Sequence, residues 1–446
     1  MLIEKIKNID SNKAAIIADG VPISYGELLT KIKKRASFLV TQKKDFLLSN
    51  SNDVENLVNF LAIISIGKKA VFGGKKLTNS QKIALSSQFD LEILDDESNQ
   101  FLFEINPNII YKGSKSTDLF LGVLTSGTTV ESKIVWKDYQ SWFSAFPHQS
   151  EVFGISENDR IFVLNSLGYS ANLNAVLHGL WLGATVVLGS LSEAKKWQEQ
   201  FEKLKITSVF LVPSHYRLLN NKTPYSNCIK SLVSAGEKLD GKTAKKLLET
   251  FPNSNLTEYY GAAELGHISY QQNEDILNFP ASVGKAFPGV KIILKESKIW
   301  VESLYVSPFY RSCATVNDIG FFDENQNLFL LGRQGRMFNR RGLNIFAEEI
   351  ENAASIHPYI SESVAIEKKI TEKRSNILLF VKPLDDSTIS KKELNQFLLE
   401  SIPKSKIPNR IIFVEDIPKT SEGKIDFHAL NKVPTEEEIS IKKLLI

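Results

Sequence analysis

A chain of 446 residues exceeds one ordinary domain, so two or three structural units are expected. Its 43% apolar and 24% charged residues fit a globular protein with a large core, and 54 basic against 51 acidic side chains leave a net charge of +3, which removes the electrostatic case for nucleic acid or an acidic membrane as partner. Cys228 and Cys313 lack metal-ligand spacing and read as reduced thiols, residues 1–13 (MLIEKIKNIDSNK) contain no apolar signal core, and no run approaches the ~18 apolar residues of a membrane span, so a cytoplasmic location is expected.

In chain order, the first predicted element is a helix over Ser24–Thr41. Ser24 and Glu27 have capping-box spacing, and Leu28, Ile32, Ala36 and Leu39 share one face. A long alternation follows. Ile161–Leu164 reads as a strand, Ala171–Leu182 as a helix, Thr185–Leu188 as a strand and Glu193–Leu204 as a helix. Ser208–Val212 and Lys230–Ala235 read as strands, Lys242–Thr250 as a helix and Leu256–Tyr260 as a strand. Such alternation implies parallel strands with crossover helices on the sheet faces, and ligands at the carboxyl ends of the strands. The pattern turns β-rich from Ile292 and ends in a turn-rich segment, Asn317–Arg333. A separate small α+β unit follows: a helix at Ala347–Ala354, strands at Ser363–Glu367 and Ile377–Lys382, a capped helix at Ser390–Leu399 and a strand at Arg410–Val414. The expected fold is α/β: a large N-terminal domain, 1–333, of doubly wound, mostly parallel sheets with a small β-rich subdomain, then a mobile α+β domain, 334–446.

Residues 124–134 (LTSGTTVESKI) follow a short apolar run and concentrate hydroxyls, a glycine and Lys133. Glycine admits close backbone approach, while hydroxyls, amides and a cation suit phosphate oxygens. The spacing is not GxxxxGK[ST], so the ordinary P-loop is excluded. The segment resembles instead the TSGTTGxPK phosphate loop of the adenylate-forming superfamily, which includes acyl-CoA synthetases and aryl-acid ligases. The resemblance extends in order along the chain. Residues 234–239 (SAGEKL) resemble the family's GGE-type loop, 258–264 (EYYGAAE) its YGxTE, and 282–285 (SVGK) its SxGxP. Residues 317–320 (NDIG) resemble DLG, 332–333 the GR before the hinge, 341–350 (RGLNIFAEEI) GGxNIxPxEIE, and 418–426 (PKTSEGKID) PKTxxGKI.

The resemblance implies ATP-dependent activation of a carboxylic acid, with loss of pyrophosphate and acyl transfer to a thiol. Thr125, Ser126, Gly127, Thr128, Thr129 and Lys133 would hold the β- and γ-phosphates, and Glu264 would ligate Mg²⁺. Gly236, Glu237, Tyr259, Tyr260 and Gly261 would border the nucleotide, with Tyr260 facing adenine. Asp318 would take the ribose hydroxyls, and Arg333 the ribose or a phosphate. Lys424 would bridge the carboxylate and the α-phosphate; it, Glu264, Thr128 and Lys133 form the implied catalytic set. The acid would lie near Tyr169, Ser170, Ser234, Ala235, Gly261, Gly284 and Gly342. The implied acceptor is coenzyme A, or alternatively the phosphopantetheine of an acyl carrier protein. A third reading is a non-catalytic relative that binds ATP and acid.

The chain departs from the family pattern at Val130 (glycine in the family), Ser132 (proline), Ala263 (threonine) and Gln334–Arg336, where the hinge aspartate or lysine is expected. Amino-acid-activating members carry a carboxylate at the position aligned with Tyr169–Ala171. None stands there in this chain, and a buried ammonium without a counter-charge is costly. A fatty or aryl acid is therefore expected.

Overall fold

The computed structural model describes residues 2–75, 77–96, 115–125, 133–219, 228–311, 314–340, 343–371, 374–384, 389–419 and 425–433. Ser126, Gly127, Thr128, Thr129, Val130, Ser132, Cys313, Gly342 and Lys424 lie outside the described residues. The chain forms two compact units, one of residues 1–295, 299–316 and 322–329, the other of 296–298, 317–321 and 330–446.

Two α/β sheets build the first unit. Runs such as RIFVL (Arg160–Leu164) and TVVLG (Thr185–Gly189) are almost wholly buried, as strands covered on both faces require. They lie near the middle of a nine-stranded sheet. Its order is Lys285–Ala286, Gly266–Gln272, Asn255–Ala262, Ser231–Ala235, Ser208–Leu211, Arg160–Leu164, Thr185–Gly189, Ala14–Ala18, Val21–Ser24. The interior pairs are parallel and the pairs at both edges antiparallel. A five-stranded sheet takes Leu91–Leu94, Asp45–Leu48, Ala70–Phe72, Leu119–Thr125 and Lys133–Asp138 in that order, with only the last pair antiparallel.

The predicted first helix forms over Tyr25–Leu39. Glu27 N donates to Ser24 Oγ at 3.2 Å, Ser24 N donates to Glu27 Oε2 at 2.7 Å, and the apolar stripe is buried. The helix expected at Glu193–Leu204 is different. A 3₁₀ segment, Leu191–Lys196, precedes an α-helix, Trp197–Lys203, and the first of these is itself kinked at Glu193, where the backbone leaves helical angles (φ −104°, ψ 17°). The turn-rich expectation for Asn317–Arg333 also needs correction. Strands Asp318–Phe322 and Leu328–Arg333 occupy most of it, and the turn is confined between them.

In the second unit, helices Ala347–Ser355 and Lys391–Ser401 accompany a sheet of Ile360–Thr371, Arg374–Pro383 and Arg410–Phe413. Ile350, Ala354, Leu379, Leu394 and Leu398 form its core. Among the described residues no helix is long and apolar enough to cross a membrane.

Candidate active site

Strands Arg160–Leu164, Ser208–Leu211, Ser231–Ala235 and Asn255–Ala262 run parallel, so the segments that follow them leave at one edge of the sheet. Register sets Ala235 beside Tyr259, which brings Gly236–Glu237 out alongside residues 260–264. Gly236 has φ +91°, and a Cβ there would lie 2.1 Å from Tyr169 Oη, so both backbone and space demand glycine. Tyr169 is the extended N-cap of helix Ser170–Leu182. Burial pushes its phenol up to about 12, and the Glu237 carboxylate adds to the rise. The sequence-predicted Tyr169, Gly236 and Glu237 thus belong to one cluster. Ser234 and Ala235 are buried at the strand end behind it, and Ser234 Oγ has no hydrogen-bond partner among the described residues.

Strand alternation separates the two tyrosines of the 258–264 segment. The Tyr259 ring turns into the core, 4.5 Å from His267 and 5.7 Å from Phe153, and burial holds its phenol far above its ordinary value. Tyr260, on the opposite face, is half-buried. Gly261 packs where a Cβ would meet the Gly266 carbonyl at 2.5 Å, across the hairpin whose turn carries Glu264. Glu264 is half-buried, and its carbonyl accepts from Ser307 N at 2.8 Å.

Glu258 had no role in the sequence reading, yet it anchors this edge. Its buried carboxylate accepts from Lys238 Nζ at 2.5 Å, Leu239 N at 2.6 Å and Gln271 Nε2 at 2.8 Å. The 236–239 loop is thereby fixed to the neighbouring strand by charge-assisted bonds. The only local sign was a carboxylate at a buried position of a strand.

Lys133 begins the strand that follows residues 126–132 and pairs in register with Thr125. Gly284 (φ +83°) is pressed against strand Gly266–Gln272, where a Cβ would lie 1.9 Å from the Tyr270 carbonyl. Ser282 Oγ accepts from Gly284 N at 2.8 Å and donates to the Leu328 carbonyl at 2.9 Å. In the second unit, Arg333 Nε donates to the buried Asp318 at 2.9 Å, while the arginine itself stays 60% exposed.

Among the described residues no cluster of three metal-ligating side chains exists, and Glu264 offers a single carboxylate on a turn. A single carboxylate of that kind fits Mg²⁺ completed by substrate phosphates.

The chain matches the family model of AMP-binding enzymes over residues 75–298 and that of the AMP-binding enzyme C-terminal domain over 349–424. It belongs to the AMP-binding enzyme family, and its fold is that of the adenylate-forming enzymes. Among its relatives, a 2-succinylbenzoate–CoA ligase of Lactococcus lactis is 24% identical over 89% of this chain and 92% of that one. An uncharacterized acyl–CoA ligase of Bacillus subtilis, YhfT, is 28% identical over 68% of this chain and 66% of its own. In fold, the chain is similar to o-succinylbenzoate CoA synthetase from Bacillus subtilis bound to its acyl-adenylate intermediate. The TM-score is 0.85 at 18% identity, covering 97% of this chain and 98% of that one. The ATP-bound RpMatB-BxBclM chimera B3 gives 0.86 at 19% identity, over 98% and 99%.

Proposed function

We propose that this enzyme activates a carboxylic acid with ATP, releases pyrophosphate, and passes the acyl group from the adenylate to the thiol of coenzyme A. The observation that carries the reading is the shared sheet edge. Tyr169, Gly236–Glu237 and the Glu264 turn leave the same ends of parallel strands, where α/β sheets bind ligands. Attack of a carboxylate on an α-phosphate brings two anions together, so the site must supply positive charge. In this reading Lys133 and Lys424 are the protein's cations, and Mg²⁺ held by Glu264 supplies the rest when bound. Asp318 and Arg333 hold the ribose, and the hinge between the domains of 1–333 and 334–446 lets one fold serve both half-reactions.

The acid is a fatty or aryl acid. The predicted acid-facing residues Tyr169, Ser170, Ser234 and Ala235 carry no charge to pair with an α-ammonium, and relatives named as acyl–CoA and 2-succinylbenzoate–CoA ligases support acids of that kind.

The test is pyrophosphate and AMP release from ATP and Mg²⁺ with fatty and aryl acids, with and without coenzyme A, for the wild type and Lys424→Ala. Acid-dependent pyrophosphate release should fall by about 10²–10³ in the variant, as loss of one transition-state contact does. Coenzyme A should turn the bound adenylate into free AMP. Adenylation without that turnover would move the acceptor to a carrier protein. ATP binding with no pyrophosphate from any acid would sink the enzymatic reading.

A further inference from the structure

Strand Lys133–Asp138 alternates sides, and the face that buries Val135 also buries Lys137, which is 1% exposed. Withdrawing an ammonium from water costs several kcal/mol unless it is paired, and an apolar side chain of similar volume in such a place is often neutral or stabilising. A lysine here therefore needs an account that packing does not provide.

Its surroundings give one. Nζ donates to the Tyr305 carbonyl at 3.1 Å. Burial drives the ammonium down to about 7; the charges of Glu264 and Asp138 work against that, and Arg311 adds to it. Asp138 is itself engaged, accepting from Ser141 N at 2.8 Å and from Arg311 Nη2 at 2.8 Å. Segment 305–311 is sewn to the strand around Lys137. Ser307 Oγ donates to the Trp136 carbonyl at 2.7 Å, and Ser307 N donates to the Glu264 carbonyl at 2.8 Å. The strand that starts at Lys133 is thus tied, through residues 305–311, to the turn that carries Glu264.

We propose that Lys137 is a positioning residue for acid activation: its buried ammonium, anchored on the Tyr305 carbonyl, holds segment 305–311 on the strand, and Ser307 of that segment holds the Glu264 carbonyl, so that the turn presents Glu264 where Mg²⁺ and the nucleotide phosphates must meet it. The inference rests on the reading of Glu264 as the metal carboxylate. It assigns Lys137 no contact with substrate. Its action is through Glu264, in the way outer-shell groups orient metal ligands.

The experiment uses the full chain with Lys137→Met, Lys137→Gln, Lys137→Arg and Glu264→Gln. Calorimetry of ATP binding with and without Mg²⁺ is run beside the Mg²⁺ dependence of pyrophosphate release and thermal unfolding. In Lys137→Met the Mg²⁺-dependent gain in ATP affinity should fall about 10-fold, the usual cost of an outer-shell change. Metal-free ATP binding should stay the same, and Tm should hold or rise. Lys137→Arg should recover most of the gain, and Lys137→Met should add nothing to Glu264→Gln. Lys137→Gln serves if the methionine variant does not fold. A wild-type Mg²⁺ response in either neutral variant overturns the inference, as does a loss fully additive with Glu264→Gln. Failure of both to fold assigns Lys137 to folding alone and also overturns it. Unchanged Mg²⁺ dependence in Glu264→Gln would instead sink the underlying metal reading.

Discussion

Replacing His178 by glutamine should flatten the acid side of the stability profile. His178 is 2% exposed, hydrogen-bonded through Nε2 to Ser150 Oγ at 2.9 Å, and burial lowers its pKa to about 3 from 6.5. A folded pKa below the unfolded one means that the unfolded chain takes up the proton first as pH falls. The stabilisation is therefore complete above about 6.5 and drains away toward 3. At pH 4.5, two units below the unfolded value and still above the folded one, the single group costs about 2.7 kcal/mol. That is a large share of the ~5–15 kcal/mol typical of a domain. His267, 5% exposed and likewise lowered to about 3, adds a parallel loss, with the His178 charge among its causes after burial. The assay is urea unfolding at pH 7.5 and 4.5, read by tryptophan fluorescence. All five tryptophans lie in the first unit, and Trp181 stacks 6.4 Å from His178, so the signal reports that unit alone. Between the two pH values His178→Gln should lose about 2.5 kcal/mol less than the wild type. Equal losses in the two proteins would refute a neutral, buried His178.

Two further substitutions separate binding from packing. Asp318→Asn should weaken ATP binding about 10–100-fold, since a hydrogen bond to a charged group contributes ~1.5–3 kcal/mol. Its thermal unfolding should barely change, because the Asp318 partner Arg333 is 60% exposed and such ion pairs are weak. Calorimetry and a melting curve decide it, and a drop in Tm without loss of ATP would point to a structural role. Gly284→Ala should cost at least ~2 kcal/mol, since φ +83° strains a side chain and the Tyr270 carbonyl stands 1.9 Å from the new Cβ. A urea midpoint within error of the wild type would contradict the observed approach of the two backbones.

What the sequence disclosed, and what it withheld, follows from the range of the interactions involved. The capping boxes at Ser24–Glu27 and Ser390–Glu393 were legible because both halves lie within one turn, and both form. The early five-stranded sheet was not legible. Its helix Asp53–Ser65 is buried at nearly every residue, so it lacks the polar face whose period marks a helix. The 3₁₀ start at Leu191–Lys196 was missed because spacing of apolar residues does not fix the backbone angles of Glu193. The same division runs through the site. Groups that would touch ATP sit in loops at strand ends, where the ligand dictates residue types in short strings, and those strings can be recognised. Groups that hold the loops in place take their meaning from distant partners. Glu258 binds the loop nineteen and twenty residues before it, and Lys137 meets a carbonyl 168 residues further along the chain. Strand Lys133–Asp138 did contain the signal, since two-residue alternation puts Lys137 in phase with the buried Val135. Read alone, that pattern says only that a lysine points inward. Why a charge should be kept there becomes apparent only when the fold brings Tyr305 and the Glu264 turn to the same strand, so the account of that residue lies in segments distant in sequence and not in the strand itself.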